Sequence, residues 1–324
     1  MNQSAAWLLP AALACSLWPA DAAAQAYPAQ SVRYIVGAGA GTGVDLVGRM
    51  LAEGLSQSFG RQFIVDNRGG SAGANIAAEA VAKAPADGHT LLQAAVSHAA
   101  NVTLYRNLRY DILRDFEAVT LLATSPAMIA IHPSLPAKSV GELVKLAKAR
   151  PGAINYASAG AGTGSFLTGE MFKAAAGINL QHVPYRGGNE ALIAVISGES
   201  AVYFGPVGAV APVVQQGRLR GIAVTTAKRV ALLPELPTAA ESGLRDFDFG
   251  NWYGLMVPAK TPVATIQTIH SAAVAVLKKP TVIQRMNELG FIIIGNTPDE
   301  FAAHLKTEIA KLAKIIRQTG VTAE

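Results

Sequence analysis

The chain has 324 residues, 51% of them hydrophobic and 15% charged, which is long enough for two hydrophobic cores and too apolar for a disordered chain. Its 27 basic and 22 acidic residues are interspersed and leave a net charge of +5. There is no Lys/Arg run or aromatic-basic stripe of the kind that binds nucleic acid, and the modest excess favours small anions in general.

At the start, Met1-Asn-Gln-Ser leads into an apolar stretch from Ala5 to Pro19 and then into Ala22-Ala-Ala-Gln-Ala26 before Tyr27-Pro28. A short apolar core ending in small residues reads as an export signal over residues 1–26, cleaved after Ala24 or Ala26, although its first residues carry no Lys or Arg. It is too short to span a bilayer comfortably, and no later segment is both long and uncharged enough. The mature protein is therefore expected to be soluble and outside the cytoplasm. Cys15, the single cysteine, leaves with the signal, so neither a disulfide nor a thiol nucleophile is expected. A lipid anchor on Cys15 is the alternative, in the poor context Ala12-Leu13-Ala14.

From the mature start, strand-like runs alternate with helical patterns: Ser31–Val36, a helix over Val44–Ser58, Gln62–Val65, a helix over Ala74–Ala84, and Thr90–Ala95. This is the βαβαβ alternation of a parallel sheet. Further strands are predicted at Met128–Ile131, Ile154–Ala157, Gln181–Pro184, Ser200–Phe204, Leu219–Thr225 and Tyr253–Val257. Helices are predicted at Phe166–Ala176, Val263–Leu277, Thr281–Leu289 and Pro298–Thr319. Proline punctuation at Ser125-Pro126 and Leu233-Pro-Glu-Leu-Pro237 brackets the middle third. The chain is thus expected to cross between two domains near residues 124 and 247, with 27–123 and 247–324 forming one domain and 124–246 the other. The cleft between them is the natural binding site.

Two glycine-rich loops stand between strand and helix, Gly37-Ala-Gly39-Ala-Gly41-Thr-Gly43 and Gly160-Ala-Gly162-Thr-Gly164-Ser165. The first N–H groups of a helix are unpaired and point outward, and glycine lets a ligand approach them closely, so each loop is a candidate anion cradle. Two facing cradles would make a clamp. A dinucleotide reading of the first loop, with Asp66 on the ribose, fails at the third glycine: that position is Thr42, or Val44 when counted from Gly39. No cofactor is expected. Asp45 falls in the first helical turn, where a carboxylate favours the helix dipole.

Gly69-Gly70-Ser71-Ala72-Gly73 matches the Gly-x-Ser-x-Gly pattern of a hydrolase elbow, with His89 and His98 as bases, but Asp66-Asn67-Arg68 separates it from the strand. The six histidines show no metal-ligand spacing, and no metal is expected. Ser97 and His98 follow the strand over Thr90–Ala95 at its carboxyl end, where ligands bind in open α/β sheets, although a helix N-cap by Ser97 explains them equally well. Arg186, after Tyr185, reads either as a fork for a carboxylate or as a solvated turn. Trp252 and Tyr253 read as packing at the second crossing.

Taken together, Val65-Asp-Asn-Arg68, Ala84-Pro-Ala-Asp-Gly-His-Thr-Leu-Leu92, Leu104-Tyr105, Asp115-Phe116, His182-Val-Pro-Tyr-Arg-Gly-Gly188 and Ala223-Val-Thr225 with Arg229 fall in an order seen elsewhere. Leu233-Pro-Glu-Leu-Pro-Thr238, Glu241-Ser-Gly243, Trp252-Tyr-Gly-Leu255 and Pro258-Ala-Lys-Thr-Pro262 continue it. Over residues 28–320 the chain resembles the Bug family (Bordetella uptake gene products), the extracytoplasmic solute receptors of tripartite tricarboxylate transporters. The resemblance implies a type II periplasmic binding protein-like α/β fold, two domains of mixed, mostly parallel sheet flanked by helices, closing by a hinge motion. It implies a monomer that carries a small carboxylate to integral membrane permease subunits and is no enzyme. Carried over by position, the ligand would be held by Gly39, Ala40, Gly41 and Thr42 and by Ser158, Gly160, Gly162 and Thr163. The chain departs from the family at Gly37-Ala38 and Gly41-Thr42, at Phe166 in place of a histidine, and at Gly205-Pro206 in place of an aspartate that meets an ammonium. Gly205 therefore favours a plain carboxylate over an amino acid. The segment from Arg68 to Glu79 is one residue longer than the family's usual spacing.

Overall fold

The structure, a computed structural model, describes residues 27–69, 73–230 and 232–319. The expected export signal with Cys15, Ala24 and Ala26, and Ser71 of the hydrolase pattern, lie outside the described residues.

The first part of the chain forms β1 (Val32–Val36), α1 (Gly43–Phe59), β2 (Phe63–Asn67), α2 (Gly73–Ala82), β3 (Thr90–Ala95) and α3 (Val96–Leu104). A long strand β4 (Phe116–Ile131) leads into α4 (Val140–Ala149), β5 (Asn155–Ser158), α5 (Gly164–Ala176), β6 (Gln181–Pro184), α6 (Gly188–Ile196), β7 (Val202–Pro206), α7 (Val207–Gln215) and β8 (Arg220–Val224). The last part is β9 (Gly250–Pro258), α8 (Val263–Leu277), α9 (Pro280–Glu288), β10 (Ile292–Ile293) and α10 (Pro298–Thr319). Both α1 and α5 end on a left-handed glycine, Gly60 at φ 63° and Gly177 at φ 60°, whose N–H groups close the last turn.

The sheet runs β2-β1-β3-β9-β4-β7-β5-β6, with β8 and β10 added to β4. Parallel pairs lie at the two flanks, β2-β1-β3 and β7-β5-β6. The antiparallel pairs gather on β4 and β9. Short βαβ units can only make parallel pairs, whereas β4 and β9 return from the opposite direction and join the two flanks. Along β4 the partner changes: residues 116–126 pair with β9, and residues 127–131 with β7 and β8.

The largest buried cluster includes Ile35, Leu92, Ile129, Phe204, Trp252 and Phe301, and so spans both flanks. A second packs α1 and α8 on the sheet through Leu51, Leu255, Ile269 and Val276, and a third gathers Met128, Val195, Tyr203 and Val210 under α6 and α7.

Two elements differ from expectation in a way that affects the site. Only Met128–Ile131 was expected of β4; Ser125-Pro126 reads as a break, yet Pro126 sits where the strand exchanges partners, a place that tolerates a missing N–H. β3 passes directly into α3, with Ala95 as the N-cap, so Ser97 lies inside the helix and is not its cap. The unpredicted helices α6 and α7 come from short Ala/Val/Ile-rich runs whose periodicity does not separate helix from strand.

Candidate ligand site at the two glycine loops

Each glycine loop runs from the carboxyl end of a parallel strand into a helix, β1 into α1 and β5 into α5, and the pentapeptide Gly-Ala-Gly-Thr-Gly occurs in both, at 39–43 and 160–164. They fold alike. The N-caps Thr42 and Thr163 have φ/ψ of −74°/161° and −77°/160°. Each threonine hydroxyl donates to the carbonyl three residues back, that of Gly39 at 2.8 Å and that of Gly160 at 2.6 Å. Each threonine carbonyl accepts from the N–H four residues on, Leu46 and Leu167, at 2.9 Å. The preceding glycines, Gly41 at φ 79° and Gly162 at φ 77°, occupy the left-handed region that the turn requires. The duplicated turn aims the first N–H groups of α1 and α5, and the positive ends of their dipoles, out of the loops.

The two loops differ in charge. At α1 the carboxylate of Asp45, only 1% exposed, accepts from the Gly41 N–H at 2.8 Å, from Arg49 Nε at 2.9 Å and from Asn67 Nδ2 at 2.8 Å. Burial alone would raise its pKa. The hydrogen bonds from Arg49, Gly41 and Asn67, with the Arg49 charge, win and hold it below the ordinary carboxylate value. The positive end of α1 is thus already occupied by an internal anion. At α5 the equivalent position is Phe166, and the groups around the turn are hydroxyls: Ser165 Oγ accepts from the Ala159 N–H at 3.0 Å, and Ser158 Oγ accepts from the Gly160 N–H at 3.0 Å. The first turn of α5 therefore holds no acidic side chain to answer its positive end.

The predicted site residues fall into two groups. Gly39, Ala40 and Gly41 are exposed and Thr42 half-buried on the outer side of the first loop, and Thr163 is half-buried at the mouth of the second. The N–H groups of Gly41 and Gly160 are already taken by Asp45 and Ser158, so these two glycines shape the turns.

Three of the predicted site residues lie inside the protein. Ser158 is fully buried, its hydroxyl 2.6 Å from His182 Nε2, so it braces the loop from below. Burial lowers the basicity of His182, with Glu170 opposing and Lys173 adding, and the ring stacks on Tyr156. His98 is 1% exposed and its Nδ1 accepts from the Ala95 N–H at 3.0 Å, which makes it an internal cap of α3. Gly205 is buried in β7, and a Cβ there would run into Tyr203 and Val210, so its small size serves packing. Phe166 likewise faces inward, its ring 4.9 Å from that of His182. Ser97 is half-buried, and Arg186 is exposed on its turn.

Two groups went unread in the sequence. Asn101 of α3 donates to Asn75 Oδ1 at 2.7 Å, Tyr110 donates to the same oxygen at 2.8 Å, and this network lies against Gly162. Asn251 of β9 packs against Gly164, the first residue of α5. Single asparagines carry no spacing signal that would have marked them.

The matched turns give a stability test. A Cβ on Gly41 meets nothing within 4 Å, whereas one on Gly162 lies 3.0 Å from Leu104 Cδ1 and 3.1 Å from Asn101 Oδ1. Both alanine variants bear the left-handed penalty of about 1–2 kcal/mol. Gly162→Ala should lose about 1 kcal/mol more than Gly41→Ala in urea unfolding, through overpacking against α3. Equal losses would mean that the second loop does not press on α3.

Among the described residues no cluster of His, Cys, Asp and Glu is disposed to hold a metal ion, and no helix is long and apolar enough to cross a membrane.

Comparison with known proteins places this geometry in context. The family model described as the tripartite tricarboxylate transporter family receptor matches residues 47–321. Protein BugT of Bordetella pertussis is 30% identical over 303 residues, 93% of this chain and 93% of that one. Among solved structures, R. palustris Rpa4515 with adipate aligns at a TM-score of 0.84 and 32% identity, over 91% of this chain and 99% of the other. MatC from Rhodopseudomonas palustris with bound malate aligns at a TM-score of 0.81 and 26% identity, over 90% and 100%.

Proposed function

As the chain belongs to the tripartite tricarboxylate transporter receptor family, we propose that it is a periplasmic, non-catalytic receptor that captures a small organic carboxylate and hands it to the permease subunits of such a transporter. The observation that carries this reading is the duplicated turn, which offers two helix N-termini of one geometry, only one of them already neutralised by an internal acid. Adipate on Rpa4515 and malate on MatC support the carboxylate class.

The carboxylate would sit at the start of α5, against the N–H groups of Gly164 and Ser165, since the Thr163 N–H donates to the Gly160 carbonyl, and the Gly39-Ala40-Gly41-Thr42 turn would close on its far side. Hydrogen bonds to a charged acceptor are the strong ones, and stronger where water is excluded. The partner change along β4 at 126–127, and its pairing with β9 down to Gly250, support a division into 27–123 with 247–324 and 124–246, hinged on these two strands. The export signal over 1–26 supplies the address, and the receptor acts as a monomer without cofactor or metal.

The rival reading, an exported hydrolase using Ser71, is disfavoured by its own bases. His89 Nε2 accepts from the Ala29 N–H at 3.2 Å, and His98 is buried as the α3 cap. Ser71→Ala should leave ligand affinity unchanged, whereas abolished ester turnover would favour the enzyme.

The deciding experiment is a thermal-shift screen of the mature protein against aliphatic and aromatic carboxylates, with sugars and amines alongside. A ligand at about a hundredfold its Kd should add roughly 2.7 kcal/mol of stability. Melting that is moved by sugars or amines and by no carboxylate would overturn the proposal.

A further inference from the structure

Asn251 is the polar residue of the second loop's surroundings that the fold leaves incomplete. It lies on β9, opposite Ser125 on β4, at the end of the stretch where these two strands pair. It is 6% exposed, and its side-chain oxygen Oδ1 has no hydrogen-bond donor. That oxygen occupies the space a Cβ on Gly164 would fill, so the amide lies on the first turn of α5, beside the N-terminus where the carboxylate is placed above. A buried amide oxygen without a donor costs about 1–3 kcal/mol, and such a group is retained where something else completes it.

A bare carboxylate cannot complete it, because both partners are acceptors. A hydroxyl can. A hydroxyl on the carbon next to the carboxylate would supply that donor within one bond of the α5 N–H groups, the reach needed for an amide lying on the first turn of α5.

We propose that Asn251 is a specificity-determining residue and that the ligand it selects is a hydroxycarboxylate, with the hydroxyl on the carbon bearing the carboxylate. This rests on the receptor reading above. Gly164 belongs to the same device, because any side chain there displaces the amide. A buried acceptor discriminates strongly against a ligand lacking the donor, since the missing partner leaves the acceptor unpaired in the complex.

The test pairs acids that differ by one hydroxyl: malate with succinate, lactate with propionate, and 2-hydroxyadipate with adipate, titrated by calorimetry into the mature protein. The hydroxylated member of the pair that fits should bind at least about tenfold more tightly. In Asn251→Ala the preference should fall to about one, through loss of the hydroxy acid, while the plain acid changes by less than about threefold. Asn251→Leu, similar in volume and without an acceptor, provides a second route to the same loss, and the melting temperature without ligand identifies any variant that fails to fold.

Equal affinity for both members in the native protein would overturn the proposal and leave the receptor reading intact. So would a variant that weakens both acids alike, which would mean that the amide is turned to donate Nδ2 to the carboxylate itself. If no carboxylate in the panel binds, the receptor reading falls and this proposal with it.

Discussion

Asp45→Ala should destabilise the protein by about 2–4 kcal/mol at neutral pH. The carboxylate is buried and accepts three hydrogen bonds, from the Gly41 N–H, Arg49 and Asn67. Hydrogen bonds to a charged group contribute about 1.5–3 kcal/mol each, and donors left unpaired inside the protein add a penalty. The terms do not sum: Arg49 is about half exposed, so its share is closer to that of a surface pair. The change also removes the internal anion from α1 and releases the Gly41 N–H, so the first loop should bind anions less selectively while gaining mobility.

Because the folded-state pKa of Asp45 is held below its unfolded value, its contribution is fully present above the unfolded pKa of about 4 and disappears as the pH falls through the folded value. Urea unfolding of native and variant proteins should therefore diverge most at pH 6–7 and converge toward pH 3. A difference under about 0.5 kcal/mol at pH 7 would refute the role given to this residue.

The second large effect is acid sensitivity from His98. Burial lowers its pKa to about 4, with the backbone groups of Ala95 and Ala74 partly opposing. The imidazole is therefore neutral in the native protein at a pH where an unfolded histidine is protonated. The corresponding stability is complete above about pH 6.5 and is lost as the pH falls from there to about 4, amounting to about 3 kcal/mol over that interval. His182 and His304 are also lowered by burial and act in the same direction.

Glutamine at this third helical position can accept from the N-cap N–H as histidine does. His98→Gln should thus keep the α3 start while flattening most of the slope between pH 6.5 and 4. His98→Ala should flatten it too but lose about 1 kcal/mol at pH 7, for the missing cap. An unchanged slope in the glutamine variant would assign the acid sensitivity to other groups.

The turns around Thr42 and Thr163 were legible because every contact that defines them is made within four residues: a glycine that accepts the left-handed region, and a threonine whose hydroxyl donates to the carbonyl three residues back. The first-turn carboxylate of Asp45 was legible for the same reason. The sequence did not reveal which way Ser158, His98, Phe166 and Gly205 face. A strand places alternate residues on opposite faces, but which face is covered depends on helices contributed from elsewhere. β4 illustrates this at the level of an element: its Ser-Pro pair signals a break in isolation, and only the exchange of partners between β9 and β7 makes Pro126 a tolerable strand residue.

By itself, then, the sequence determined the family, the α/β alternation and the two glycine-threonine turns, because these depend on local backbone preferences and short-range hydrogen bonds that a few adjacent residues dictate. The tertiary structure alone decided that the two like turns are unlike in charge environment, through Asn67 arriving from β2 to complete the Asp45 cage. It also decided that Asn251 comes from β9 to lie on α5 with an unanswered acceptor. Such contacts join segments distant along the chain, and they exist only once the sheet has fixed which strand stands beside which helix.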